Sequence, residues 1–223
     1  VTLSSGSGDV TLGGLVDGHY ALSVQSSGVT TFAASLGSQV PLASITTDTA
    51  GSVRFQDTLG TTTAGGATSY LLNVKTTGAQ NYNDHAYLDS DVTFASSGVP
   101  AAANVVFNNK LDGGFNLVVN TAGQTQFNDQ VGSNQALKTI TTDADGSVRF
   151  QDVLGTTVGG VTTHLLNVNT TGAQTYNDTV YLGSDTSIDS TKGALTGADI
   201  AFKKAIDSAT VTAQQLTLNA GTA

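Results

Sequence analysis

Short stretches in which apolar and polar residues alternate recur along the whole chain. Examples are VTTF ending at Phe32, AQNY ending at Tyr82, and SVRF, which occurs twice and ends at Phe55 and Phe150. Alternation with a period of two predicts strands with one buried face. Gly, Asn, Asp and Ser, which favour turns, separate these stretches. The pattern therefore predicts an all-β chain of many short strands joined by tight corners.

The chain also repeats itself on a larger scale. Residues 45–62 (ITTDTAGSVRFQDTLGTT) and 140–157 (ITTDADGSVRFQDVLGTT) agree at 15 of 18 positions, with an offset of 95 residues. Residues 71–84 and 165–178 agree at 12 of 14 positions. A third, more divergent copy begins near Ile200. We therefore divide the chain into large repeats of about 10–104 and 105–199 and a partial repeat 200–223, all within one domain spanning residues 1–223.

A smaller unit of 20 to 28 residues lies inside each large repeat. The units close on a series of glycines: Gly28, Gly51, Gly78, Gly98, Gly123, Gly146, Gly172, Gly193 and Gly221. Eight of the 14 aromatic residues then recur at one phase of the unit: Phe32, Phe55, Tyr82, Phe107, Phe127, Phe150, Tyr176 and Phe202. A pair of polar residues follows most of these aromatic residues, as in Asn83-Asp84.

A unit of this size cannot bury its apolar side alone, so the units must stack on one another. Stacking one unit per turn gives a parallel β-helix, a β-solenoid of about nine coils with 20–28 residues per coil. The alternative is a pair of similar β-sandwich domains of 95 residues each. The fixed phase of the aromatic residue favours the solenoid and predicts a column of rings in its core.

Composition supports strands and removes several kinds of chemistry. All 17 acidic residues are Asp, and the chain contains no Met and no Cys, so the strong helix formers Glu and Met are absent. Disulfides, thiolate metal sites and cysteine nucleophiles are excluded. A net charge of -9 with only eight Lys and Arg residues predicts no nucleic-acid partner. No window of 18 apolar residues occurs, so we expect no membrane insertion in this segment.

The aspartates are the conspicuous candidates for a metal site. Stacked in register, they would form a ladder that could bind calcium or could hydrogen-bond the backbone at the corners. Asp143 and Asp145 resemble the start of a calcium loop, and Asp89 and Asp91 form a similar pair. The internal copies lose one carboxylate of each pair, which favours the corner interpretation. These four residues are weak calcium candidates, and we expect no cofactor.

Features expected of an enzyme are scattered. His19, His85 and His164 do not recur between repeats, and no cluster of His and carboxylate at ligand spacing accompanies them. Arg54 is expected to point outward and to form a solvated ion pair with Asp57, three residues later. Pairs of Thr and Ser could form an ice-binding array, but they do not recur in every unit. The sequence therefore predicts no catalysis.

Residues 170–186 (TTGAQTYNDTVYLGSDT) and 104–146 resemble the repeats of very large bacterial surface proteins, the filamentous-haemagglutinin-like and autotransporter-like adhesins. The resemblance covers essentially the whole chain, but its motifs are those of a scaffold. It implies an exported, right-handed β-helix that serves as a stalk or filament segment of an extracellular adhesin at the bacterial cell surface.

Two other functions stay open: a surface module that binds glycan, ice or mineral, and a polysaccharide-degrading β-helix enzyme. Neither terminal segment has the pattern of a cap. The expected partners are therefore neighbouring coils of a longer chain or further copies associating end to end. A host or matrix glycan or protein is a further candidate partner.

Overall fold

The computed structural model describes residues 1–62, 66–192 and 194–222, and in these ranges it contains strands and turns but no helix. Gly193 and Ala223, which the repeat analysis includes, lie outside the described residues. The strands are β1 (Thr2–Gly6), β2 (Val10–Leu12), β3 (Ala21–Ser26), β4 (Val29–Phe32), β5 (Ser44–Thr47), β6 (Ser52–Phe55), β7 (Thr61–Thr62), β8 (Thr68–Ser69), β9 (Leu71–Thr76), β10 (Gln80–Tyr82), β11 (His85–Leu88), β12 (Asp91–Ser96), β13 (Val105–Phe107), β14 (Leu111–Asp112), β15 (Asn116–Thr121), β16 (Gln124–Phe127), β17 (Thr139–Thr142), β18 (Ser147–Phe150), β19 (Thr156–Val158), β20 (Val161–Thr163), β21 (Leu165–Asn169), β22 (Gln174–Tyr176), β23 (Thr179–Leu182), β24 (Asp185–Asp189), β25 (Ile200–Phe202), β26 (Ile206–Ser208) and β27 (Leu216–Asn219).

Three parallel sheets run along the molecule. The first contains β1, β3, β5, β10, β13, β16, β18, β23 and β26, the second β2, β4, β6, β11, β14, β21, β24 and β27, and the third β9, β12, β15, β17, β22 and β25. Val131 joins the two parts of the second sheet by pairing with Leu111 and Val168, and Val16 and Leu36 extend the third sheet. The chain visits the first, second and third sheets in strict rotation.

This rotation makes a β-solenoid of about nine turns and confirms the predicted architecture. A β-sandwich would have required antiparallel sheets, whereas all pairing between turns in the described strands is parallel. At about 4.8 Å per turn, nine turns correspond to a rod roughly 43 Å long.

Two turns are longer than the others because each carries an inserted hairpin. Leu22 pairs with Ile45, 23 residues later, but Ile45 pairs with Gln80, 35 residues later. The first insertion is the antiparallel pair β7–β8, and the second is β19–β20. The unit from Gly51 to Gly78 contains such a hairpin and covers less than a full turn, since Phe55 lies in the second sheet and Tyr82, one unit later, in the first.

The large repeat does not match a whole number of turns. β6 lies in the second sheet and its copy β18 in the first, β10 lies in the first and its copy β22 in the third, and β12 lies in the third and its copy β24 in the second. Each 95-residue repeat therefore spans eleven strand positions, which is three and two-thirds turns. Equivalent residues of successive repeats consequently face different sides of the rod.

The core contains the predicted aromatic column. Ring centroids of successive members lie 5.2 to 5.7 Å apart along the whole series Phe32, Phe55, Tyr82, Phe107, Phe127, Phe150, Tyr176 and Phe202. Phe94 packs beside the column, 4.9 Å from Phe55. These distances are typical of favourable ring packing, so one continuous stack links the first large repeat to the third.

Two members of the column are tyrosines because a buried glutamine lies next to each. The Tyr82 hydroxyl donates to Gln80 Oε1 at 2.9 Å, and Gln80 Nε2 donates to Thr76 Oγ1 and to the Ala95 carbonyl. Tyr176 and Gln174 form the same network in the second repeat. A buried polar network that is satisfied in this way fixes the register of neighbouring turns.

Several closing glycines lie at corners where backbones of adjacent turns meet. Gly51 has φ +79°, and a Cβ there would lie 2.1 Å from the Gly28 carbonyl oxygen. Gly146 has φ +86° and the same relation to Gly123. Only glycine fits both the left-handed conformation and the close approach.

Candidate functional site

The paired aspartates hold corners and hairpins in place. Asp57 accepts hydrogen bonds from the backbone amides of Gly60 and Leu71, the two sides of the first hairpin. Asp152 accepts from Gly155 and Leu165 in the second repeat. These carboxylates fix the base of each insertion, which explains why both copies keep an Asp at this position.

The polar residue that follows the aromatic column forms a ladder of amides. Asn108 Nδ2 donates to Asn83 Oδ1 and Asn128 Nδ2 donates to Asn108 Oδ1, each at 2.7 Å. Asn83 Nδ2 in turn donates to the Thr47 carbonyl at 2.6 Å. Side chains at this phase therefore stack and hydrogen-bond between turns, as the corner interpretation predicts.

Two of the calcium candidates are engaged by other side chains. Arg54 donates two hydrogen bonds to Asp89 of the next turn, at 2.6 and 2.8 Å. The ion pair with Asp57 that the sequence predicted is therefore wrong. Asp91 accepts from both the backbone and the side-chain amide of Asn116.

The other two candidates lie at one corner. Asp145 is exposed, whereas Asp143 has a buried Oδ1 with no hydrogen-bond partner among the described residues. Within that part of the chain, no group of three or more His, Cys, Asp or Glu residues is placed to hold a metal ion. Calcium binding at these positions stays a prediction.

Asp143 belongs instead to a pair of carboxyl groups that occurs once in each repeat. In the first repeat, Thr47 Oγ1 donates to Asp84 Oδ1 at 2.6 Å, while Asp84 Oδ2 and Asp48 Oδ1 are buried without a partner in the described structure. Burial, with a smaller contribution from the charge of Asp48, raises the pKa of Asp84 to about 6, against the lowering effect of the hydrogen bond from Thr47.

The second repeat reproduces this arrangement. Thr142 Oγ1 donates to Asp178 Oδ1 at 2.7 Å, and burial raises the pKa of Asp178 to about 6, with Asp143 as the neighbouring carboxylate. The unpartnered oxygens expose less than 1 Å² of surface, so there is no room beside them for a hydrated cation. A proton neutralises such a group without needing space.

A cluster of side chains surrounds His85 that no pattern in the sequence predicted. His85 Nε2 lies 2.7 Å from Asp112 Oδ2, although the two residues are 27 positions apart and nothing but the register of β11 on β14 brings them together. Asp112 is fully buried and also accepts from the backbone amides of Asn134 and Gln135. Burial alone would raise the pKa of Asp112, but the hydrogen bonds from His85, Gln135 and Asn134 lower it.

Tyr87 and Arg54 extend this cluster across the surface. The rings of Tyr87 and His85 stack with centroids 4.1 Å apart, and the Arg54 guanidinium lies 5.1 Å from the centre of the Tyr87 ring. The Tyr87 hydroxyl is 3.1 Å from His85 Nδ1. Because the rings are stacked, that hydroxyl approaches from the face of the imidazole, away from the in-plane lone pair that a proton relay needs.

The cluster belongs to the first repeat alone. The second repeat has Thr179 in place of His85 and Gly183 in place of Asp89. Its contacts join β6, β11 and β14, three successive turns of the second sheet, so their clear effect is to tie these turns together.

Comparisons with protein-family models, with curated protein sequences and with solved structures give no significant match. The described part of the chain also has no helix that is long and apolar enough to cross a membrane.

Proposed function

We propose that this chain is a structural stalk or filament segment of an extracellular bacterial adhesin or cell-surface fibre, and that it carries no catalysis. One observation supports this proposal above the others. The strands rotate through three sheets without a break, around a continuous column of aromatic rings. A solenoid with one unbroken core is suited to hold two points apart at a fixed distance.

The use of the polar residues agrees with this role. Asp57 and Asp152 hold hairpins, the Asn83 ladder joins turns, and the Arg54–Asp89 ion pair bridges adjacent turns. These Asp and Arg residues, which the sequence offered as candidates for metal or substrate binding, thus make contacts that stabilise the solenoid.

The location and the partners rest on the resemblance to bacterial surface proteins. The expected partners are neighbouring coils of a longer chain or further copies joined end to end. Parallel stacking continues to the outermost described strands, β1 and β27, and such strands can pair with additional turns.

Antibodies raised against the purified chain test the location. They should label intact cells of the source organism, and gene deletion should remove both the label and any surface fibre seen by electron microscopy. Labelling that requires permeabilised cells would contradict the proposal.

Sedimentation at increasing protein concentration tests self-association. Discrete particles of 22.5 kDa would contradict end-to-end assembly of this chain, whereas rods that grow with concentration would indicate it. Release of reducing sugar from acidic polysaccharides would contradict the absence of catalysis.

A further inference from the structure

A groove with exposed aromatic walls runs beside the first hairpin. Its volume is about 470 Å³, and its lining includes Tyr70, Leu71, Asp91, Phe115 and Lys138. Tyr70 is 51% exposed and Phe115 37% exposed, while the eight rings of the column lie inside. Exposed apolar groups that line a groove with polar neighbours mark binding sites.

A groove at the equivalent position occurs in the second repeat, although its lining has no Phe or Tyr. There Thr163, His164, Leu165 and Asp185 occupy the positions of Ser69, Tyr70, Leu71 and Asp91, and they line a groove of about 570 Å³. Each groove begins at the foot of a hairpin, whose base is fixed by Asp57 or Asp152. Duplication shows that the groove is a property of the repeat and of its hairpin.

The groove has the dimensions of a short linear ligand. Its lining comes from the beginnings of β9, β12, β15 and β17, which are neighbours in the third sheet. Four turns at about 4.8 Å give a length of roughly 14 Å from the first turn to the last. Tyr70 and Leu71 lie on one turn, Asp91 at the start of the next, and Phe115 on the turn after that.

The polar groups of the groove are arranged to accept hydroxyl groups. Asp91 accepts from Asn116, and Asn116 Oδ1 accepts from Thr139 Oγ1 at 2.7 Å. Each Asp91 oxygen has a second lone pair for a further donor, and Lys138, one turn beyond Phe115, supplies a donor. Ring faces beside such groups fit a ligand with apolar faces and hydroxylated edges.

We propose that this groove binds a neutral oligosaccharide, with sugar rings against Tyr70 and Phe115 and hydroxyl groups on Asp91 and Lys138. A peptide strand is disfavoured because β12 and β15 are already paired on both edges, which leaves no backbone for strand addition. An anionic polymer is disfavoured by the net charge of -9. The proposal is independent of the stalk role.

Calorimetric titration of the full chain with cellohexaose, mannohexaose and chitohexaose tests the proposal. We expect at least one of them to bind, and Tyr70→Ala and Phe115→Ala each to weaken that binding at least tenfold. Tyr70→His, which copies the second repeat, should give an intermediate loss. Tyr181→Ala, a surface tyrosine outside this groove, is the control and should change affinity less than twofold.

Thermal melting of each variant separates loss of the site from loss of the fold, because Tyr70 is half exposed and its removal should leave the melting temperature within a few degrees. The proposal is overturned if none of the three hexasaccharides binds at millimolar concentration, if Tyr70→Ala and Phe115→Ala retain full affinity, or if a heparin hexasaccharide binds more tightly than all three.

Discussion

At the scale of single residues, aspartate serves three structural purposes. Asp57 accepts backbone amides at a hairpin, Asp89 forms an ion pair with Arg54, and Asp84 is buried with one oxygen unpartnered in the described structure. The sequence predicted that all three lie at corners. It could not predict their different roles, because the partners of each carboxylate depend on how the chain folds.

The buried carboxyls make stability depend on pH. The pKa of Asp84 and Asp178 rises from 3.8 to about 6 on folding, so the folded chain holds these protons more tightly than the unfolded chain. The stabilisation is complete below about pH 4 and is lost as the pH rises through 6. Replacing both by Asn should reduce the difference in unfolding free energy between pH 4.5 and pH 7.5 by about 1–3 kcal/mol per site.

Urea unfolding at both pH values measures this effect. Asn keeps the oxygen that accepts from Thr47 or Thr142, so the hydrogen bond survives the substitution. Asp145→Asn is the control, since Asp145 is exposed. A double variant with an unchanged pH dependence would contradict the assignment.

At the scale of elements, the alternating pattern predicted the strands and the aromatic column well. It located Tyr82 and Phe107 on neighbouring turns because the phase of an aromatic residue within a unit is a local property. It could not reveal that His85 meets Asp112, since that contact depends on which strands become neighbours. The groove was also missed, because Tyr70 and Phe115 lie outside the repeating phase and meet through the stacking of turns.

Corner glycines should resist substitution in proportion to how closely the next turn approaches. Gly51→Ala places a Cβ 2.1 Å from the Gly28 oxygen and should destabilise the fold by about 1–3 kcal/mol more than Gly160→Ala. Gly160 is a matched control, with φ +80° and no atom within 4 Å of its Cβ position. Equal losses, measured by chemical denaturation, would show that backbone conformation alone matters.

Removal of a ring from the column should be costly. Phe127 is fully buried between Phe107 and Phe150, with ring centroids 5.5 and 5.7 Å away. Phe127→Ala should lower the free energy of unfolding by about 3–5 kcal/mol. The same change at the partly exposed Phe115 should cost much less, and a comparable loss at both positions in calorimetry would refute the column as the centre of stability.

At the scale of the whole molecule, the sequence predicted a solenoid of about nine turns but not how its repeats are oriented. The 95-residue period can be read directly from the sequence. The number of solenoid turns in each repeat, three and two-thirds, depends on which strands pair. No local pattern records it, since β6 and its copy β18 have the same sequence, SVRF, and lie in different sheets.

An inserted repeat should reveal this geometry. A second copy of residues 105–199 placed after residue 199 should lengthen the rod by about 18 Å, which is three and two-thirds turns at about 4.8 Å each. Small-angle scattering measures the length, and electron microscopy should show the new hairpin on the third side. A hairpin on the same side as an adjacent one would contradict the assigned pairing.

The incomplete final turn of each repeat has a mechanical consequence for a long array. Three repeats bring the grooves back to the same side after eleven turns, about 53 Å along the axis, so a flat surface would meet only one groove in three. The grooves could instead bind saccharide chains on all sides of the fibre at once. Such a fibre would cross-link a surrounding polymer gel more effectively than it would adhere to a plane.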